Sequence, residues 1–433
     1  MNLFGIFDQM TSSHPFWPAP LGKRLDANVT LPGSKSLTNR ELVLSALASD
    51  KTLLVAPLKS RDSMLMISAL QSLGTQFEWQ GADLLVTPKS LSGPATIDCG
   101  LAGTVMRFVP PLAGLAVGQI DFDGDEGARR RPMHTTIESL RALGVAVEAE
   151  TLSLPFVVHG TGEILGGELE IDASASSQFV SGLLLVAAKF KNGLTLRHTG
   201  SELPSLPHIE MTLETLRQRG VEAKTLDERT WRVEPGEISG GRVVIEPDLS
   251  NAGPFLAAAM VCGGKVSIPN WPAKTTQVGA EFERILPLMG AMVEVEDSVL
   301  TIESDGQING IDIDLSIGGE LAPVIAALAA LANSPSKITG IAHLRGHETD
   351  RLKALSTEIN RVGGKAKELT DGLEIEPGTL HGGQWFSYED HRMATAGAII
   401  GLRVQGIEIE NIATTSKTLP EFVELWSGML EGK

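Results

Sequence analysis

Lys35, Ser36 and Arg40 crowd one short segment, PGSKSLTNR, which runs directly into an apolar stretch. A helix is expected to start there. A helix N-terminus carries unpaired N–H groups and about half a positive charge, so a lysine beside it is disfavoured. A bound anion resolves that conflict, because ammonium, hydroxyl and guanidinium would then face one phosphate. Arg392 of EDHRMA is again a cation at an expected helix start, and Lys417 of TTSKTLPEF lies just before the last helical stretch. In CGLAGTVMR, Gly103 and Thr104 allow close backbone approach by a small ligand, with Arg107 one turn on. Arg129, Arg130 and Arg131 follow before Pro132, and a run of three arginines can also be a solvated face.

Neutral and acidic groups occupy equivalent places. Ser176, Ser177 and Gln178 offer two hydroxyls and an amide at a helix start, suited to a phosphate or a polyol. Ser205 and His208 of SLPHIE are weaker candidates of the same kind. Glu320 opens an apolar helix, where the dipole favours a carboxylate and capping alone would also explain it. HLRGHETDR gathers Arg345, His347, Glu348, Asp350 and Arg351 within seven residues. The collected cations Lys35, Arg40, Arg131, Arg351, Arg392 and Lys417 come from both halves of the chain. A cleft between two domains, holding one or two strongly anionic small molecules, would need them all. Glu320 and Glu348 among them suggest proton transfer.

The elements that must position these groups repeat. Six polar or Gly-rich segments each run into an Ala/Leu-rich stretch; anchored at Ser34, Gly103, Ser177, Asn251, Glu320 and His391, they are spaced by 69, 74, 74, 69 and 71 residues. In phase with them, amphipathic helical stretches end at Gly74, Gly144, Gly220, Gly290 and Gly364 and pass into alternating strands. A glycine closing a helical pattern is read as a C-cap. The sixth copy is expected to be the terminal FVELWSGML helix, without its strand. Three units to a domain place the boundaries near residues 30 and 245, so the expected domains are 31–245 and 1–30 plus 246–433.

Composition limits the alternatives. With 433 residues the chain exceeds the size at which single cores stop growing. Its 36 Lys+Arg against 53 Asp+Glu give a net charge of −17, which argues against nucleic-acid binding along the whole surface. The two cysteines, Cys99 and Cys262, exclude a disulfide framework and a multi-cysteine metal site, and both are read as structural. MNLFGIFDQM has no basic start and no long apolar run, and Leu321–Leu331 is too short for a membrane span of about 20 residues. A cytoplasmic protein is expected. PGSKS lacks the glycines of a nucleotide P-loop, DFDGDEG has its glycine misplaced for a calcium loop, and His347 has Arg351 where a zinc protease has its second histidine.

LPGSKSLTNR, GLAGTVMR, RRRP, SASSQF, HETDRL, EDHRMA and SKTLP together resemble the EPSP synthase family, in its order, from about residue 20 to residue 425. The resemblance implies an α/β (α+β) fold of two similar domains, each of three βαβαββ-type repeats, with the active site in the cleft between them. It implies transfer of the enolpyruvyl group of phosphoenolpyruvate to the 5-hydroxyl of 3-phosphoshikimate, on the route to chorismate and aromatic amino acids. It further implies no cofactor and no metal, no nucleic-acid or membrane partner, a monomer, and glyphosate as an inhibitor at the phosphoenolpyruvate site, where Gly103 leaves room.

Carried over by motif, 3-phosphoshikimate would be held by Lys35, Ser36, Arg40, Ser176, Ser177, Gln178, Ser205, Glu320 and His347. Phosphoenolpyruvate would meet Lys35, Gly103, Arg131, Gln178, Arg351, Arg392 and Lys417. Glu320 and Glu348 would move protons, with Lys35, His347 and Lys417 as further catalytic groups. The chain departs from the family where the more common K-E-T-D-R is H-E-T-D-R, so that His347 brings a group titrating near neutrality. Leu101 replaces an Asn, His208 a Tyr, and Glu320 the commoner Asp. The nearest rival is UDP-N-acetylglucosamine enolpyruvyl transferase, which normally has a Lys-Asn pair and a loop Cys. A non-catalytic clamp for a phosphorylated metabolite is the other, and it should avoid carboxylates facing its ligand.

Overall fold

The computed structural model describes residues 15–432 apart from 202 and 204. The fold is α/β, built from small mixed sheets, each covered by helices. One complete unit shows the plan. Strand Ala95–Asp98 leads through helix Gly103–Ala113 to strand Val117–Asp123, and the two strands pair in parallel from Ala95↔Ile120. Helix His134–Ala142 then leads to strands Ala146–Glu148 and Phe156–Thr161; the latter pairs antiparallel with the second strand and carries Ala146–Glu148 antiparallel on its outer side.

The two helices of a unit differ because their sequences do. In most units the first is largely apolar and buried, as in Ala322–Ala330 and in Leu249–Cys262 up to Val261, whereas Lys35–Ala46 carries buried Asn39, Arg40 and Glu41. The second is amphipathic; Arg351–Arg361 buries Leu352, Leu355 and Ile359 and exposes Lys353. Positive φ at Gly74, Gly144, Gly220 and Gly290 agrees with C-caps, but in the fifth copy Gly363 (φ 88°) takes that conformation in place of Gly364.

Two strands are exchanged between units. Leu25–Asn28 immediately precedes the first helix, Lys35–Ala46, yet it pairs in parallel with Gly264–Pro269. Gly241–Val244 precedes helix Leu249–Cys262, yet it pairs with Thr52–Val55. The two chain crossings run side by side: Ser34 donates its N–H to the Glu246 carbonyl (2.7 Å) and Asp248 to the Pro32 carbonyl (2.9 Å). The sixth sheet pairs Gly383–Trp385 with Ile407–Glu410 in parallel, and Phe16–Pro18 joins Ile407–Glu410 antiparallel. The strand absent from the end of the chain is thus replaced by one from its start, where the sequence offered no periodic signal.

Buried apolar residues form two clusters. One runs from Leu42 to Ile238; the other joins Leu25–Leu31 to residues 249–430. Of the expected second domain, residues 1–14 lie outside the described residues. No described helix is long and apolar enough to cross a membrane.

Candidate active site

The N-terminal ends of all six first helices open onto one cleft. Its wall takes Ser34 to Ser36, Gly103 and Thr104, Ser176 to Gln178, Ser250 and Asn251, Glu320, and His391 and Arg392. The starts of the second helices border it too, through Asp62, Arg131, Ser205, Val278, His347, Glu348, Arg351 and Lys417. A parallel strand–helix–strand unit places its first helix N-terminus beyond the carboxyl end of the strand, where ligands bind in such folds. Here six such ends face one another, so their unpaired N–H groups give the cleft a positive lining before any side chain is counted.

On the wall from residues 35–245, the Lys35 ammonium lies 3.6 Å from Asp62, itself buried at the start of helix Arg61–Ser72. Gly103 is enclosed. A Cβ built on it would lie 3.1 Å from Arg107 Nη1, Arg131 Nη2 and Gln178 Oε1, so a side chain there would press on all three. Gln178 Oε1 is buried beside Gly103 and accepts no hydrogen bond from the described residues. Ser176 Oγ accepts from the Gln178 N–H at 3.2 Å. Arg107 sits wholly buried behind this wall, and burial first, then Arg131, press its pKa well below the usual guanidinium value. Ser205 caps helix Leu206–Gln218 in the left-handed region (φ 56°), an uncommon backbone for a non-glycine residue.

One expectation needs correction on this side. Arg40 does not line the cleft. It is buried behind Ser36, donating to the Ser36 carbonyl (3.0 Å), Thr212 Oγ1 (2.8 Å) and the His208 carbonyl (2.8 Å). Burial lowers its pKa to about 9, so it acts through its neighbours and not as a ligand in this conformation. Arg129 and Arg130 are surface residues paired with Asp123 and Glu126, both at 2.7 Å; only Arg131 of the three turns inward, donating to the Leu101 carbonyl at 3.3 Å.

The opposite wall carries Glu320 and Glu348. Glu320 stands in the 3-10 turn Gly319–Leu321, hydrogen-bonded through Oε1 to Ser250 and through Oε2 to His208 at 2.9 Å, with Arg392 at 3.6 Å. Burial opposes its charge, but His208 and Arg392 overcome this and hold the carboxyl well below its usual range. Glu348 lies between Lys417 (2.6 Å) and Arg351 (2.9 Å). Burial again opposes ionisation, and these two cations again win, leaving its pKa well below the usual value. Arg351 is buried and also bidentate to Asp390, at 2.7 and 3.2 Å; the carboxylates outweigh burial and raise its pKa. His391 is buried; burial, then Arg392, keep it neutral by lowering its pKa well below the usual imidazole value.

His347 differs from the expectation of a group titrating near neutrality. Protein surrounds it densely, yet the residue is exposed to the cleft, 3.4 Å from Arg351. Desolvation and then Arg351 lower its pKa, and water in the cleft screens part of the effect. Its motif neighbours Arg345 and Asp350 turn away from the site. Arg345 pairs with Asp350 and Glu368, and Asp350 caps helix Arg351–Arg361 through the Lys353 N–H (3.1 Å).

Asp62, Asp248, Ser250, Asp390 and His391 were not singled out as functional residues from the sequence. Asp390 has a signal, since an Asp before an apolar helical run is a cap candidate, and it does accept the Arg392 N–H at 2.9 Å. Asp248 caps its own helix through the Asn251 N–H, but its second oxygen takes the Lys35 N–H (3.1 Å) from 213 residues away, which no local pattern reveals. Both cysteines are unpaired, and burial raises their thiol pKa values, Cys99 to about 12 and Cys262 to about 11. Among the described residues no cluster of His, Cys, Asp and Glu is arranged to hold a metal ion.

Comparison with known proteins agrees with this architecture. The family model for EPSP synthase (3-phosphoshikimate 1-carboxyvinyltransferase) matches residues 20–426. The chain is 56% identical over 428 residues, 96% of each protein, to a 3-phosphoshikimate 1-carboxyvinyltransferase of Kocuria rhizophila. Its fold superposes on an EPSP synthase from Acinetobacter baumannii with a TM-score of 0.81 at 24% identity, covering 96% of this chain and 98% of the other. An enolpyruvyl transferase from Streptomyces tendae superposes with a TM-score of 0.74 at 16% identity, covering 96% and 97%. The chain belongs to the EPSP synthase family.

Proposed function

We propose that the chain transfers the enolpyruvyl group of phosphoenolpyruvate to the 5-hydroxyl of 3-phosphoshikimate. The products are 5-O-(1-carboxyvinyl)-3-phosphoshikimate and phosphate, on the route to chorismate and the aromatic amino acids. The observation that carries this reading is the meeting, in one cleft, of Lys35 and Arg131 from one half with Arg351, Arg392 and Lys417 from the other, around two ionised carboxylates. A clamp that only binds anions gains nothing from Glu320 and Glu348 on its inner face; an enzyme that must move protons does. We assign 31–245 and 1–30 plus 246–433 as two lobes that close on the ligands, a division supported by the two apolar clusters and the paired crossings.

Ser176, Ser177 and Gln178 hold the shikimate phosphate at a helix start, with Lys35, Ser36, Ser205 and His347 completing that side. The phosphate and carboxylate of phosphoenolpyruvate meet Arg131, Arg351, Arg392, Lys417 and Lys35, with the space beside Gly103 left for its small body. Glu320, ionised at rest, takes the 5-hydroxyl proton as that oxygen bonds to the central carbon of phosphoenolpyruvate. The methylene carbon gains a proton from the Glu348–Lys417 pair, giving a tetrahedral adduct. Loss of a methyl proton back to Glu348 then expels phosphate and restores the double bond. Glu348 suits this double role because the arriving phosphate competes for Arg351 and Lys417. That raises the carboxyl's proton affinity when substrate is bound.

The reaction needs no cofactor. The reading has the chain working as a cytoplasmic monomer on two small molecules, without nucleic acid or membrane. Phosphate release tests it, with 3-phosphoshikimate or a UDP-amino sugar as acceptor and each substrate omitted in turn. Release that requires both phosphoenolpyruvate and 3-phosphoshikimate supports the assignment. Release only with the nucleotide sugar overturns it.

A further inference from the structure

We propose that His208 is a positioning residue for Glu320, and that their hydrogen bond forms as the lobes close, so that closure itself aims the proton-accepting carboxylate. The inference rests on the reading of Glu320 as the group that takes the 5-hydroxyl proton.

The bond crosses the cleft. His208 stands in the first turn of helix Leu206–Gln218, and Glu320 in the turn Gly319–Leu321 of the other half. Nε2 meets Oε2 at 2.9 Å, and since Glu320 is held anionic, the ring donates. The other carboxylate oxygen is occupied by Ser250 and faced by Arg392 at 3.6 Å, both from its own half. His208 therefore fixes the remaining rotation of the carboxylate and leaves one lone pair of Oε2 for the substrate.

The histidine is itself held firmly. Its carbonyl accepts from Arg40 (2.8 Å), Ser181 (3.3 Å) and Thr212 (3.0 Å), and the left-handed Ser205 sets the angle at which the helix enters the cleft. The charged groups facing this arrangement are Arg40 beneath the histidine backbone, and Glu320, Arg392 and Asp248 across the cleft. The buried Arg40 thereby anchors the carbonyl of the residue that orients Glu320. If the lobes part, the Glu320 carboxylate loses its partner from the far wall and is free to turn.

The test uses the full chain with His208→Phe, which keeps a planar ring without the donor, and His208→Gln, whose amide N–H can reach Oε2. With both substrates, His208→Phe should lower kcat by roughly 10- to 100-fold, leave KM for phosphoenolpyruvate within about twofold, and move the acid limb of the pH profile to higher pH. His208→Gln should recover most of that loss. A wild-type kcat and pH profile in His208→Phe, or a Gln variant as poor as the Phe variant, would overturn the positioning role. If His208→Phe does not fold, His208→Asn, too short to reach Oε2, makes the same comparison. Small-angle scattering without ligands reads the latch independently of turnover. His208→Phe should be more open than the wild type and His208→Gln, and identical profiles would overturn the coupling to closure. Should the wild type release no phosphate from these substrates, the functional reading falls, and scattering alone decides whether the pair holds the lobes together.

Discussion

Glu348 is squeezed between two cations, Lys417 at 2.6 Å and Arg351 at 2.9 Å. A carboxylate so placed contributes little to holding an anion and much to passing a proton once the anion has drawn the cations away. Replacing it with Gln leaves the shape and frees both cations for phosphoenolpyruvate. Glu348→Gln should therefore bind both substrates at least as well as the wild type by calorimetry, while kcat falls by roughly 100- to 10,000-fold. Turnover within threefold of the wild type would remove Glu348 from the mechanism.

At this scale the sequence was informative where a charge sat against local physics: Lys35 and Arg392 at helix starts both reach the cleft. Charge density alone left surface and cleft undecided, and at Arg40 the position beside a helix start pointed to a ligand contact that the structure does not make. Arg129, Arg130 and Arg345 are surface pairs, and Arg40 spends its donors on backbone and hydroxyls. The buried partners Asp62, Asp248 and Asp390 were overlooked because their importance comes from what folding brings beside them.

Helices are the elements that aim these groups, and their starting points are set by short polar caps. Asp350 is the case most open to test. It caps helix Arg351–Arg361 and pairs with Arg345 on the surface, without touching the cleft. Asp350→Ala should lower stability by about 0.5–2 kcal/mol, read as a reduced midpoint in urea. Because Arg351 and Glu348 adjoin that cap, KM for phosphoenolpyruvate should rise with it. An unchanged midpoint would show that the cap is dispensable. The seventy-residue repeat was legible because each first helix follows a polar or Gly-rich start and is largely buried, and amphipathic second helices end at glycine. The strand exchange between units and the closing role of Phe16–Pro18 were not legible, since strand pairing depends on partners hundreds of residues away.

The whole molecule concentrates opposed charges in its centre, and that makes its stability depend on pH in a definite sense. His391 is buried, with its pKa depressed in the folded state, so the unfolded chain binds more protons below the free imidazole value of about 6.5. Stability is full above that pH and is lost as pH falls. Glu320 and Glu348, also depressed, add to the loss below about 4.5. Buried Glu41, whose pKa burial raises to about 7, works in the opposite sense, so the histidine is read as a difference: the stability of the wild type minus that of His391→Gln should decline from pH 6.5 to 4.5 by at most about 1.4 kcal/mol per pH unit in denaturant unfolding. A difference between the two proteins that stays constant across that window would mean that His391 is not held neutral.

On the proposed reading, two lobes bring cations to one point because a strongly anionic pair of ligands lies between them. A crystal structure of the full chain with 3-phosphoshikimate and an unreactive phosphoenolpyruvate analogue tests this most directly. The predicted result places the shikimate phosphate on Ser176, Ser177 and Gln178, the 5-hydroxyl within about 3 Å of Glu320, and the analogue among Lys35, Arg131, Arg351, Arg392 and Lys417. Either ligand bound outside the cleft, or held by one lobe without the other, would contradict the account.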